Sequence, residues 1–148
     1  MLPGVKPLWI VCEDGTEYLL RFERFLSAEF RFAAAPDAGA LLDLAPSAQG
    51  VLLDLDFRQT PPDKLVDEHG VRNADLAEEI RRRLAATQGI LILRLLRARG
   101  FSTPVILCAD LDGDQAAYLE QTLGPLQIAP SLEGLARTAE RMRALCAS

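Results

Sequence analysis

Carboxylates at the ends of apolar runs are the side chains in this sequence best placed to do chemistry. Leu8-Trp9-Ile10-Val11-Cys12 closes abruptly on Glu13-Asp14, with Pro7 before the run and Gly15 after the acids. Gly50-Val51-Leu52-Leu53 closes in the same way on Asp54, with Asp56 two residues on. Runs this short, bounded by turn residues, suit buried strands better than helices. If the two strands are parallel neighbours, Asp14 and Asp54 meet at the carboxyl edge of one sheet, where sites form in open α/β proteins. No glycine-rich phosphate loop follows the first run. Glu13-Asp14 occupies that place and would repel phosphate, which counts against a nucleotide enzyme.

Other reactive residue types carry less. Asp110, Asp112 and Asp114 invite a calcium reading, but the stretch lacks the turn glycine and the closing Glu of a helix–loop–helix calcium loop. A solvated helix start explains them better. Cys108 lies among apolar neighbours without a nearby His and reads as an inert buried thiol. Cys12 is expected on the first strand, Cys146 in the last helix, and the single His69 in an exposed polar loop.

Composition narrows the classes. The chain has 148 residues, 49% hydrophobic and 25% charged, enough for one well-buried core and short for two, so a single domain over 1–148 is expected. A net charge of -5 argues against direct nucleic-acid binding, which needs clustered Lys and Arg. The densest basic run, Arg81-Arg82-Arg83, follows Glu78-Glu79 and reads as a solvated helix face. Three cysteines without paired spacing suit a reducing compartment. The N-terminal stretch does not read as a signal peptide, and no segment approaches the roughly 20 apolar residues of a membrane span. A cytoplasmic protein without membrane contact is expected.

The elements that must position the acids follow from the hydrophobic pattern. A strand over about 8–12 is followed by a helix with Tyr18, Leu19, Phe22, Phe25 and Leu26 on its apolar face and Arg21, Glu23 and Arg24 outside. Phe30 to Ala34 is a weaker strand that fits a sheet edge. Asp37 can cap a short helix through Leu44, and Ala45-Pro46-Ser47 ends it before the strand at Gly50. After Asp56, Thr60-Pro61-Pro62 stops any strand, and a polar loop runs to Asn73. Asn73 or Asp75 starts a helix carrying Leu76, Ile80 and Leu84; Gln88-Gly89 breaks or bends it, and Ile90 to Arg99 continues to Gly100. Val105 to Ala109 is a buried strand, Asp110 to Asp114 opens a helix carrying Ala117, Tyr118 and Leu119, and Gly124-Pro125 stops it. A short strand from Leu126 and a closing helix with Leu135, Ala139, Met142 and Leu145 complete the chain. Strands alternating with helices imply a parallel sheet covered on both faces.

On these residues the chain resembles the receiver domain of bacterial two-component response regulators, over most of its length. The resemblance implies the flavodoxin-like (βα)5 fold, with a five-stranded parallel sheet in the order 2-1-3-4-5. It implies that Glu13 and Asp14 fall where the family holds Mg²⁺, and Asp54 where it carries the phosphoacceptor. Gly89 to Arg97 looks like the family's third helix, Thr103 to Ala109 like its fourth strand, and Ile128-Ala129-Pro130 like the end of its fifth. Three departures stand out. Cys108 replaces a hydroxyl residue, Ala129 replaces the usual lysine, and a segment of about 58–87 is inserted between the third strand and the family's third helix.

Without the ammonium, Glu13, Asp14 and Asp54 lack a fixed counter-charge and raise one another's pKa. The insertion can return a cation, Arg58 or Lys64, or it can cover the pocket and build a new binding face; the stiff Pro61-Pro62 favours the second. The expected function is that of an atypical receiver, a pseudo-receiver: a phosphorylation-independent protein–protein signalling module, not an enzyme, with Asp54 a vestigial phosphoacceptor. It would act on a signalling partner or fused effector domain, require no cofactor and admit Mg²⁺ on the three acids. There are two alternatives. One is a Mg²⁺-dependent switch in which a histidine kinase modifies Asp54 to regulate a downstream effector, a transcriptional activator among the candidates. The other is a small flavodoxin-like ligand-binding enzyme. An exposed apolar face on the last helices would hint at a homodimer.

Overall fold

The computed structural model describes residues 4–73, 75–131 and 133–147. Five strands, β1 (Leu8–Cys12), β2 (Arg31–Ala35), β3 (Gly50–Asp54), β4 (Val105–Cys108) and β5 (Leu126–Ala129), form one sheet in the order β2-β1-β3-β4-β5. Every pairing is parallel. The three central strands are almost wholly buried, which is why they appear in the sequence as continuous apolar runs and not as alternating ones. Arg31–Ala35 sits at the edge, where its weak alternation suffices.

Among the described residues six α-helices cover the two faces: α1 (Glu17–Leu26), α2 (Ala38–Leu44), α3 (Glu78–Ala86), α4 (Gln88–Ala98), α5 (Gly113–Thr122) and α6 (Leu135–Ala147). One core layer gathers Trp9, Val11, Leu52, Ile106 and Ala129 against Phe22 of α1 and Met142 of α6. The opposite layer gathers Ile10, Leu53, Val105 and Leu107 against α2, α4 and α5. The Asp37 side chain caps α2 by accepting the Ala40 N–H at 2.9 Å, and Asp112 caps α5 by accepting that of Gln115 at 2.8 Å. Phe25 departs from the expected apolar face. It is 59% exposed, with Arg24 stacked over its ring, because Phe22 alone completes the aromatic stack from Tyr18 to Phe32.

The inserted segment is integral to the core. Leu65, Val66 and Ala85 join Phe57 in the layer beneath α4, and burying Leu65 and Val66 contributes roughly 1.5–3 kcal/mol each. A turn at 62–64 and an antiparallel bridge between Val66 and Arg72 lead into α3. That helix starts at Glu78, later than the sequence predicts, and ahead of it the Asn73 side chain accepts the Asp75 N–H at 3.0 Å. Two helices are present, separated at Thr87. Gln88 then ties the segment down from the start of α4: its Oε1 accepts the Val66 N–H at 2.8 Å, and its Nε2 donates to the Val66 and Leu84 carbonyls. Gly89 allows α4 to approach β3, since a Cβ there would collide with the Asp54 carbonyl and lie 2.8 Å from the Leu55 Cα.

At the amino end of the sheet, Arg97 of α4 donates to four carbonyls, those of Phe101, Thr103, Leu123 and Pro125, at 2.8–3.0 Å.

Candidate functional site

Strand register assembles the acidic corner. Cys12 pairs with Leu53, so Glu13 emerges level with Asp54, and Asp54, Cys108 and Ala129 follow one another across β3, β4 and β5. The sequence placed these residues together, and the fold does so.

What each acid does there is more specific. Thr16, at the cap position of α1, makes no side-chain cap hydrogen bond. Glu13 takes over that duty from the end of β1: its two carboxylate oxygens accept the N–H groups of Tyr18 at 3.1 Å and Leu19 at 2.9 Å. It is 5% exposed, and burial raises its pKa despite the opposing pull of those amides. Asp14 Oδ2 accepts the Gln59 N–H at 2.7 Å, fastening the start of the inserted segment over the corner.

Asp54 Oδ1 accepts the N–H of Leu55 at 2.9 Å. Burial pushes its pKa up to about 6, with repulsion from Glu13, Asp14 and Asp56 adding to the shift and the Leu55 amide opposing it. Among the described residues no Lys or Arg forms an ion pair with Asp54. Arg58, the nearest basic residue of the insertion in sequence, pairs instead with Asp56 at 2.6 Å and is 82% exposed. Lys64 forms no ion pair among the described residues. Ala129 is buried against the α1 and α6 layer.

One basic side chain that the sequence reading missed does come near. Arg141 of α6 faces this side of the sheet, and its charge reaches Cys108. It is committed elsewhere, 2.9 Å from Glu133 and donating to Gln127 Oε1 at 2.9 Å. The signal available in sequence was the eight-residue spacing of Glu133 and Arg141 about the start of a helix, which is too common to single out. Cys108 itself is 7% exposed, and burial pushes its thiol up to about 12, with nearby acids adding to the effect. A thiol held so firmly protonated is a poor nucleophile.

The neighbouring loops are tied to one another. Tyr18 donates its hydroxyl hydrogen to the Ser131 carbonyl at 2.8 Å, and the Ser131 N–H bonds to Asp110 Oδ1 at 3.1 Å. Asp110 and Asp112 thus serve local bonds, and His69 is exposed beside Glu68. Among the described residues, no three His, Cys, Asp or Glu side chains are gathered as a metal site. Both Glu13 oxygens accept amides of α1 and Asp14 Oδ2 accepts that of Gln59, so a Mg²⁺ ion at Glu13, Asp14 and Asp54 would share these carboxylates with the backbone.

No protein-family model and no curated protein matches the sequence. Solved structures do match. The receiver domain of the Francisella response regulator 1452 superposes with a TM-score of 0.66 at 16% identity, covering 96% of this chain and 98% of that one. The BeF3-activated N-terminal receiver domain of RstA from Klebsiella pneumoniae gives 0.62 at 16%, covering 95% and 99%. NtrX from Brucella abortus gives 0.63 at 15%, covering 97% of this chain and 28% of that one. Sheet order, helix placement and these superpositions agree: the chain has the flavodoxin-like fold of response-regulator receiver domains, with a segment added between β3 and α4.

Proposed function

We propose that this chain is a receiver-type signalling module that works through protein contacts and does not depend on phosphorylation of Asp54. The observation that carries this reading is the uncompensated charge at the carboxyl edge. Phosphoryl transfer to a carboxylate needs positive charge to offset what develops in the transition state. Here Ala129 is apolar and buried, Arg58 is paired with Asp56, and Arg141 is paired with Glu133. Both oxygens of Glu13 already hold α1, so an ion there would compete with a helix cap for the same carboxylate. The module therefore needs no resident Mg²⁺ and performs no chemistry of its own.

A partner of the protein kind, including a fused effector domain, suits this reading, since the same fold forms 28% of the NtrX chain. Direct nucleic-acid contact does not suit a net charge of -5. Among the described residues no helix is long and apolar enough to cross a membrane, and three free cysteines suit a reducing cytoplasm.

Intact-mass spectrometry after incubation with acetyl phosphate and Mg²⁺ tests the proposal. No phosphoryl adduct is expected. Beryllofluoride with Mg²⁺ should likewise leave the fluorescence of Trp9, the single tryptophan, without a saturable change. An adduct that disappears in Asp54→Asn would overturn the reading in favour of a kinase-driven switch.

A further inference from the structure

The inserted segment creates a feature remote from the acids in its chemistry. Between the 66–72 turn and α3 lies a groove of about 600 Å³, floored by Leu65, Leu84 and Leu91. Two aliphatic side chains at its edge stay in water: Val71 is 55% exposed and Ile80 40%. An apolar floor with apolar side chains standing beside it is costly to leave wet.

The charges around the groove indicate what covers it. One lip is acidic, with Asp67 and Glu68, and the other is basic, with Arg83. Asp67 is held charged by the Val71 and His69 amides, to which its Oδ1 is the common acceptor. Arg83 makes no ion pair among the described residues, whereas its neighbours Arg81 and Arg82 are both engaged by Glu78. A surface carrying an apolar floor, projecting aliphatics and one lip of each sign contains its own complement. A two-fold axis places each element opposite its counterpart, acid lip on basic lip, as an isologous interface requires.

We propose that this groove is a self-association surface, at which two copies of the chain pair through their inserted segments, Val71 and Ile80 of each seated on the floor of the other and Glu68 facing Arg83. The pairing is independent of the chemistry at Asp54. It gives the insertion a role as a dimerisation element.

Sedimentation velocity on the 148-residue chain over a concentration series, without any phosphoryl donor, tests it. The wild type should show a concentration-dependent dimer. Arg83→Glu and Glu68→Arg should each weaken it about tenfold or more, since each reversal sets like charges together twice across the axis. Both sites are exposed, and unchanged circular dichroism will show that the variants fold. The decisive arm is the mixture. Equal amounts of the two variants should recover the wild-type dimer, because the introduced glutamate of one then meets the introduced arginine of the other while the native pair survives at the second contact. A chain that stays monomeric to millimolar concentration overturns the proposal. So does a dimer indifferent to both reversals, a mixture that fails to recover, or a monomer whose groove is filled by an apolar peptide or small molecule.

Discussion

Asp54 shows how strongly one side chain can report on its surroundings. Its pKa of about 6, against an ordinary value of 3.8, means that the folded chain holds this proton more tightly than the unfolded chain. Stability is therefore lost as pH rises from about 4 through about 6, and the full penalty stands above that window. Asp54→Asn keeps an oxygen for the Leu55 N–H and removes the charge. In metal-free buffer it should stabilise the protein by about 1–2 kcal/mol at pH 8, a value already discounted for partial exposure, and by nothing near pH 4. Urea denaturation at the two pH values reads the difference directly; a variant less stable than wild type at pH 8 would show that the corner is neutralised after all. The sequence disclosed which acids meet, because short apolar runs ending in Asp and Glu leave little freedom of placement. It did not disclose that Glu13 caps α1. Capping is decided by where the helix starts relative to the strand end, and Thr16, which stands at the cap position, makes no side-chain cap bond.

Among the elements, the buried strands and the helices with side-chain caps were legible, since a continuous apolar run and an Asp at the cap each leave a local trace. The inserted segment was not. Its stop at Pro61-Pro62 could be read, but its return to the core depends on Leu65 and Val66, two apolar residues in an otherwise polar stretch, and on Gln88, which in sequence looked only like a helix interruption. Gln88 satisfies both backbone groups of Val66 inside the protein, and among the described residues nothing else is bonded to them. Gln88→Ala should therefore cost about 2 kcal/mol and act locally. Hydrogen exchange should show the Val66 amide and its neighbours losing protection while β1, β3 and β4 keep theirs. Uniform loss across the sheet would mean that the strap and the sheet unfold as one unit.

For the molecule as a whole, the added segment changes what counts as the domain. In a fold of this kind an insertion that merely decorates the surface could be trimmed without cost. Here its residues complete the layer beneath α4. Replacing residues 61–84 with a short Gly-Ser linker should lower the unfolding free energy by about 3–6 kcal/mol through exposure of the surface that Leu65 and Val66 cover, measured by chemical denaturation. An unchanged value would make the segment an appendage. The overall architecture was accessible from sequence because alternating strands and helices with right-handed crossovers admit few arrangements. Arg141, held by Glu133 and Gln127, was not, because its significance lies in a three-dimensional neighbourhood with Cys108 that no linear spacing encodes.

The four carbonyls gathered by Arg97 have a mechanical consequence. A single planar guanidinium joins the chain after α4 to the chain entering β5, so that rim is cross-linked without a covalent bond and yields least to force. At the opposite rim acids repel one another, and each tie between loops, Tyr18 to Ser131, Ser131 to Asp110 and Asp14 to Gln59, is a single hydrogen bond. A load applied by a binding protein there would pivot the strand ends about the braced rim and reach first the chain that follows β1, β3 and β5, beside Glu13, Asp54 and Ser131.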